Sequence, residues 1–153
     1  MRLIFFTFVI LLICSCHEKT VKPNYKKIDT SWIELNEKDS IPYEILTVLK
    51  TLKGNKKIAD RNEAYEATDV IEDTTIPMRQ LRLLARKNND WRLVYIQGGI
   101  GNHYVYLECK IKNDSLYNLK IGESLSDLEN NDSITKLLSQ NKINLRTVKI
   151  INK

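Results

Sequence analysis

Residues 77–97 read PMRQLRLLARKNNDWRLVYIQ, and two folds compete for them. Wound as a helix, the stretch turns Met78, Leu81 and Leu84 or Ala85 to one side. Laid out as a hairpin, it alternates Leu81, Leu83 and Ala85 on one strand, turns at KNND, and alternates Trp91, Leu93 and Tyr95 on the way back. The turn decides between them. Asn and Asp tolerate left-handed backbone and bond to their own chain, so Asn88-Asn89-Asp90 is strong turn chemistry. The hairpin reading follows.

The flanking segments then fall into place. HYVYLECKIK (103–112) predicts a strand with Val105, Leu107, Cys109 and Ile111 on one face. KND (112–114) turns into SLYNLKI (115–121), which makes a four-stranded antiparallel meander. Upstream, DSIPYEILTVLKTLKGN (39–55) predicts a helix. Asp39 or Ser40 caps it, Pro42 suits its first turn, and Gly54 closes it. Ile41, Ile45, Val48, Leu49 and Leu52 form its apolar stripe. TSWIEL (30–35) offers a short strand or a first packing contact. Asp60 and Glu63 have the spacing to cap a second, shorter helix. Downstream, DSITKLLSQNK (132–142) predicts a helix capped by Asp132 or Ser133, and INLRTVKII (143–151) a closing strand. The expected class is α+β: an antiparallel β-meander of about four to five strands, an N-terminal helix on its apolar face, and a C-terminal helix–strand unit.

The chain opens MRLIFFTFVILLICSCHEKT. Arg2 precedes an apolar run, Leu3 to Ile13, interrupted only by Thr7. Crossing roughly 30 Å of hydrocarbon takes about 20 apolar residues. The run fits instead the apolar core of a secretory signal, about 7–15 residues. Its end, ICSC (13–16), resembles the lipobox of bacterial lipoproteins, in which an aliphatic residue, a tolerant position and a small residue precede a cysteine. The resemblance covers residues 1–16 only. It implies that Cys16 carries lipid and becomes the mature N-terminus. One acyl chain alone binds a membrane marginally, and the several chains of this class hold durably. His17, rather than Asp, at the following position points to the outer membrane. The competing reading is an ordinary secretory signal, or a short anchor, with two incidental cysteines. The expected division is a signal peptide at 1–15, an anchor and polar tether at 16–30, and one α+β domain at 31–153. The tether segment HEKTVKPNYKK (17–27) spans about 35–40 Å when extended.

The 153 residues carry 24 basic and 19 acidic side chains, a net charge of +5. This mild surplus does not mark a nucleic-acid binder, and an exported chain does not ordinarily meet nucleic acid. Of three cysteines, Cys14 leaves with the signal, Cys16 takes lipid, and Cys109 remains alone. Its place between Leu107 and Ile111 predicts a small buried core residue. His103 shares that face, but six residues along a strand separate the two by roughly 20 Å. A nucleophile–base pair needs about 3 Å. His103 is the domain's single histidine, and no Cys-x-x-Cys, His-x-x-x-His or Asp-x-Asp-x-Asp spacing occurs. The sequence therefore implies no cofactor, metal or catalytic constellation.

Two features remain. QGGIGN (97–102) precedes a strand rather than a helix and lacks a following Gly-Lys-Ser/Thr, so it does not read as a phosphate loop. It reads as a hairpin loop with glycines at positive φ, or as a place where a partner's backbone comes close. The second feature is charge. Between Pro77 and Lys112 lie Arg79, Arg82, Arg86, Lys87, Arg92, Lys110 and Lys112, against Asp90 and Glu108. In the hairpin reading Arg82, Arg86, Arg92, Tyr104, Tyr106, Lys110 and Lys112 point away from the apolar face. In the helix reading Arg79, Arg82 and Arg86 still align. Arginine and tyrosine are enriched at binding hot spots, and arginine grips carboxylates in two-pronged fashion. The plain alternative is a solvated face, or one partly covered by the first helix.

The expectation is a lipid-anchored, non-enzymatic envelope binding protein of the inhibitor, immunity-type or accessory kind. Its partner is an acidic protein. Its partner-binding residues are Arg79, Arg82, Arg86, Arg92, Gly98, Gly99, Gly101, Tyr104 and Tyr106. A module for an anionic glycan, lipid or small ligand is the second reading, favoured by a closed pocket. An enzyme with converging carboxylates is the third.

Overall fold

A computed structural model describes residues 31–53, 57–69 and 74–149. The expected signal peptide, Cys16, the whole tether and Gly54 lie outside these residues. Along the chain run β1 (Ile33–Glu34), a 3-10 turn (Lys38–Ser40), α1 (Tyr43–Lys53), β2 (Arg79–Lys87), β3 (Asp90–Gln97), β4 (His103–Lys112), β5 (Ser115–Ser124), α2 (Asn131–Ser139) and β6 (Arg146–Thr147). The strands form one antiparallel sheet in the order β1-β2-β3-β4-β5-β6. The class is α+β. Six strands replace the expected four to five, because TSWIEL and INLRTVKII each contribute a two-residue edge strand.

The hairpin reading of 77–97 holds, with Lys87 opposite Asp90 across a two-residue turn and Asn88 at φ 54°. The β4–β5 turn is equally tight, with Asn113 at φ 50° and Asp114 at φ 54°. Two left-handed residues in succession match the twist of the flanking strands.

On one face of the sheet lies α1. Its stripe (Ile45 and Leu49, with Ile41 just before it) packs on Leu81, Leu84, Leu93, Tyr95, Val105, Leu107 and Cys109. Val48 and Leu52 sit at the edge of this cluster, as the 3.6-residue period requires. Asp39 and Ser40 fall in the 3-10 turn ahead of α1.

β2 departs from simple alternation. Leu81 faces Tyr95 and Leu83 faces Val94, so Arg82 is an extra residue in the ladder. Such a bulge reverses the side-chain parity beyond it. Leu81 and Leu84 therefore face α1, while Leu83 and Ala85 turn to the opposite face. That face has a core of its own, in which Leu83, Ala85, Val94 and Tyr106 pack with Leu128, Ile134 and Ile143. The cover is α2 with its flanking segments. Asn130 caps α2, not Asp132 or Ser133: its side-chain oxygen accepts from the Ser133 N–H at 2.8 Å.

The expected second short helix does not form. Asp60 and Glu63 close a turn instead, in which the Glu63 carboxylate accepts from the Asp60 N–H at 2.9 Å. Both carboxylates then hold the Lys38 segment: Asp60 accepts from the Lys38 N–H at 2.7 Å, and Glu63 from Lys38 Nζ at 2.6 Å. The neighbouring Ala59 bridges in parallel to Gln80 and covers the free edge of β2. Among the described residues no helix is long and apolar enough to cross a membrane.

Candidate functional site

Of the three arginines that the hairpin reading places on one face, Arg82 and Arg92 stay on the α2 side and the bulge turns Arg86 to the other. Arg79, before it, faces α1 and is 1% exposed. Its Nε donates to Gln97 Oε1 at 3.3 Å, a terminal nitrogen donates to the Leu49 carbonyl at 3.1 Å, and the group lies 5.5 Å from the Tyr95 ring centre. Burial lowers its pKa, and the same burial raises that of Tyr95. Arg82, in the bulge, turns half-buried to Glu129 at 3.5 Å. Arg86, beyond it, is exposed beside Trp91 and donates to the Asn88 carbonyl at 3.0 Å.

Arg92 lies under α2 and is 8% exposed. It stacks on the Trp32 ring at 4.0 Å, and its Nε donates to Glu108 at 3.3 Å. One terminal nitrogen reaches Asn131 at 3.2 Å and Thr135 at 3.3 Å. The Tyr106 hydroxyl, fully buried, donates to the same Glu108 carboxylate. Burial is the main reason that hydroxyl stays protonated far above the ordinary tyrosine range, and Glu108 adds to it. One guanidinium thus ties β3, β4, α2 and the Trp32 segment together. A buried charge persists only when paired and hydrogen-bonded in this way.

The expected cofacial arginine–tyrosine surface is therefore not a surface. Arg79, Arg92 and Tyr106 are interior residues, and Tyr104 is half-buried against the α2 cluster, its hydroxyl pushed up to about 12 by burial and by Asp127. The reasons are the bulge and the second cover. Of the basic residues expected there, Lys110 and Lys112 are exposed at the turn end, Arg82 is half-buried, and Arg86 reaches solvent beyond the bulge.

The glycine loop is different. It joins β3 to β4 beyond the Gln97–His103 pair, at the end of the sheet opposite the Asn88 and Asn113 turns. Gly98 is buried: a Cβ there would lie 1.8 Å from the Glu66 carbonyl oxygen, so only glycine lets that segment pass. Gly99 and Gly101 hold φ of 104° and 72°, and His103 Nδ1 donates to the Gly101 carbonyl at 2.9 Å. Between these two glycines Ile100 stands 91% exposed. One strand over, β5 ends at Ser124 opposite Tyr104, and the next residue, Leu125, is 89% exposed. Two nearly bare aliphatic side chains thus stand at the same end of the sheet. Glu123 and Asp127 flank Leu125 along the chain, and the Glu66 main chain passes over Gly98. In the sequence the glycines stand out, whereas no periodic pattern marks Ile100 and Leu125.

Cys109 is 2% exposed on the α1 face, and burial pushes its thiol up to about 12. It lies opposite Trp91 while His103 lies opposite Gln97, so the two stand at opposite ends of an unbroken β3–β4 register and form no nucleophile–base pair. Two surface hollows, of about 170 Å³ beside Asp90, Cys109 and Lys120 and about 280 Å³ beside Gly122 and Arg146, fall short of the roughly 300–1,000 Å³ of small-molecule sites. Among the described residues no cluster of three His, Cys, Asp or Glu side chains is placed to hold a metal. Comparison with known protein families, with curated proteins and with solved structures finds no match.

Proposed function

We propose that this chain is a lipid-anchored, non-enzymatic binding protein of the bacterial envelope, attached through Cys16 and probing a protein partner with its loop end. The anchor rests on the lipobox resemblance at 13–16. The binding end rests on one observation: Ile100 and Leu125 are 91% and 89% exposed at one end of a sheet whose two faces are both covered. A large aliphatic side chain left in water forgoes roughly 1.5–3 kcal/mol of burial, which docking recovers. Gly99 and Gly101 leave the loop backbone open to a partner's main chain. The complement is an apolar socket, with basic groups placed to meet Glu123 and Asp127 on either side of Leu125.

Capture from the source cells with the tagged, full-length chain tests this reading. The double variant Ile100→Asp/Leu125→Asp is expected to lose a stoichiometric partner at least tenfold, while Arg86→Glu keeps it. Retention by the double variant and loss by Arg86→Glu overturns the loop end. Intact mass reads the anchor separately: the wild-type chain gains acyl mass and begins at residue 16, and Cys16→Ala does not.

A further inference from the structure

The end of the sheet opposite the glycine loop is rich in basic side chains. Arg86 and Lys87 close β2, and Lys110 and Lys112 close β4. Against these four stand Asp90, paired with Lys110 at 3.4 Å, Asp114, and Glu34 one step in, opposite Ala85. Lys112 is exposed and Lys87 half-exposed, and neither makes an ion pair among the described residues. Lys149 follows β6 toward the same end, because β6 runs antiparallel to β5 and Val148 already bonds to Leu119.

The chain also enters here. Ile33 pairs with Arg86, so residues 31 and 32 lie beside Lys87 and the Asn88 turn. Thirty residues precede that point in the sequence, Lys19, Lys22, Lys26 and Lys27 among them.

We infer that the hairpin-turn end is a docking surface for an anionic lipid bilayer. Seated on headgroup phosphates, Lys87, Lys112 and Arg86 orient the domain with Ile100 and Leu125 pointing away from the membrane. The inference rests on the proposed anchor for its geometry. Its charge complementarity is independent of that anchor. Basic side chains at a charged surface attract anionic headgroups within a Debye length, so the contact is salt-sensitive. An orienting contact matters for a tethered binder, because a tether alone leaves the domain free to present either end.

The test uses the lipidated full chain reconstituted in vesicles of phosphatidylcholine alone or mixed with phosphatidylglycerol. Amide hydrogen exchange is followed in the 86–90 and 111–115 turns and in the 98–102 loop. The expected result is slower exchange of both turns on the anionic vesicles only, no change in the loop, and recovery of fast exchange at high salt. Lys87→Gln/Lys112→Gln is expected to weaken the effect by roughly fivefold per lysine, while Lys136→Gln/Lys142→Gln leaves it intact. Equal exchange of the turns on both vesicle types, or slowing of the glycine loop instead, overturns the docking. Flotation with the neutral vesicles reads the anchor by itself: a chain that floats only with anionic vesicles retains the docking surface and refutes the lipid.

Discussion

The two faces of this sheet are covered by different means. Under α1 the side chains that meet are almost wholly apolar, from Ile45 and Leu49 to Leu93, Leu107 and Ile121. Under α2 an apolar patch shares the space with Arg92, Tyr106 and Glu108. Non-directional burial dominates the first face, where Arg79 adds bonds to Gln97 and to the Leu49 carbonyl near the loop end. The second carries a denser set of hydrogen bonds with fixed partners, which places α2 and Trp32 in one register on the strands. An arginine–tyrosine pattern on a strand is therefore not evidence of an outer surface. It equally describes a satisfied polar seam under a helix.

Substitutions can break this comparison, and the largest effect belongs to the apolar face. Leu107→Ala is expected to cost about 2–5 kcal/mol in urea unfolding, because Leu107 is fully buried. Arg92→Met is expected to cost about 2–3 kcal/mol, since it keeps the apolar stem but leaves Glu108 and Tyr106 without their cation. Adding Glu108→Gln to it should return part of that loss, and a double-mutant cycle measures the coupling. If Arg92→Met is neutral, the seam contributes nothing. Asn130→Ala is expected to cost about 1 kcal/mol and to speed amide exchange at the start of α2 without touching α1. Arg86→Met, at the solvent, should stay within about 0.5 kcal/mol.

Both faces also hold groups that must stay protonated. Cys109 rises from an ordinary 9.0 to about 12 and Tyr104 from 10.0 to about 12. In the unfolded chain each ionises at its ordinary value, so above about pH 9 the unfolded state binds fewer protons than the folded one. Stability is then expected to be flat with respect to these groups below pH 9 and to fall steadily from about pH 9 toward 12. Urea midpoints at pH 7, 9 and 10.5 check the sign, and Cys109→Ala should flatten the slope above pH 9. The native thiol should react with iodoacetamide at pH 8 only as fast as the chain opens.

The α1 face was legible in the sequence because it obeys simple periods: 3.6 residues from Ile41 to Leu52, and 2 residues from Val105 to Ile111. The turns were legible in Asn88, Asn113 and Asp114. The second face was not read, although its mark is present. Leu93 to Ile96 is an unbroken apolar run, as is Tyr104 to Leu107, and such runs belong to strands buried on both sides. Counting only every second residue hid Val94 and Tyr106. The bulge at Arg82 left no local sign, since LRLLAR offers leucines to either parity. At the candidate site, Gly98, Gly99 and Gly101 were visible as backbone devices. Ile100 and Leu125 were not, because what distinguishes them is exposure, which depends on where the rest of the chain fails to cover them.

The central claim is that contact with a partner belongs to the loop end and not to the arginine-bearing strands. Amide hydrogen exchange of the full chain, free and bound to the partner captured from its cells, tests this most directly. The predicted result is slowing confined to residues 98–102 and 124–127, with the amides of β2 and the Asn88 turn unchanged. Slowing along 82–90 with the glycine loop unaffected would contradict it and return the site to the arginines.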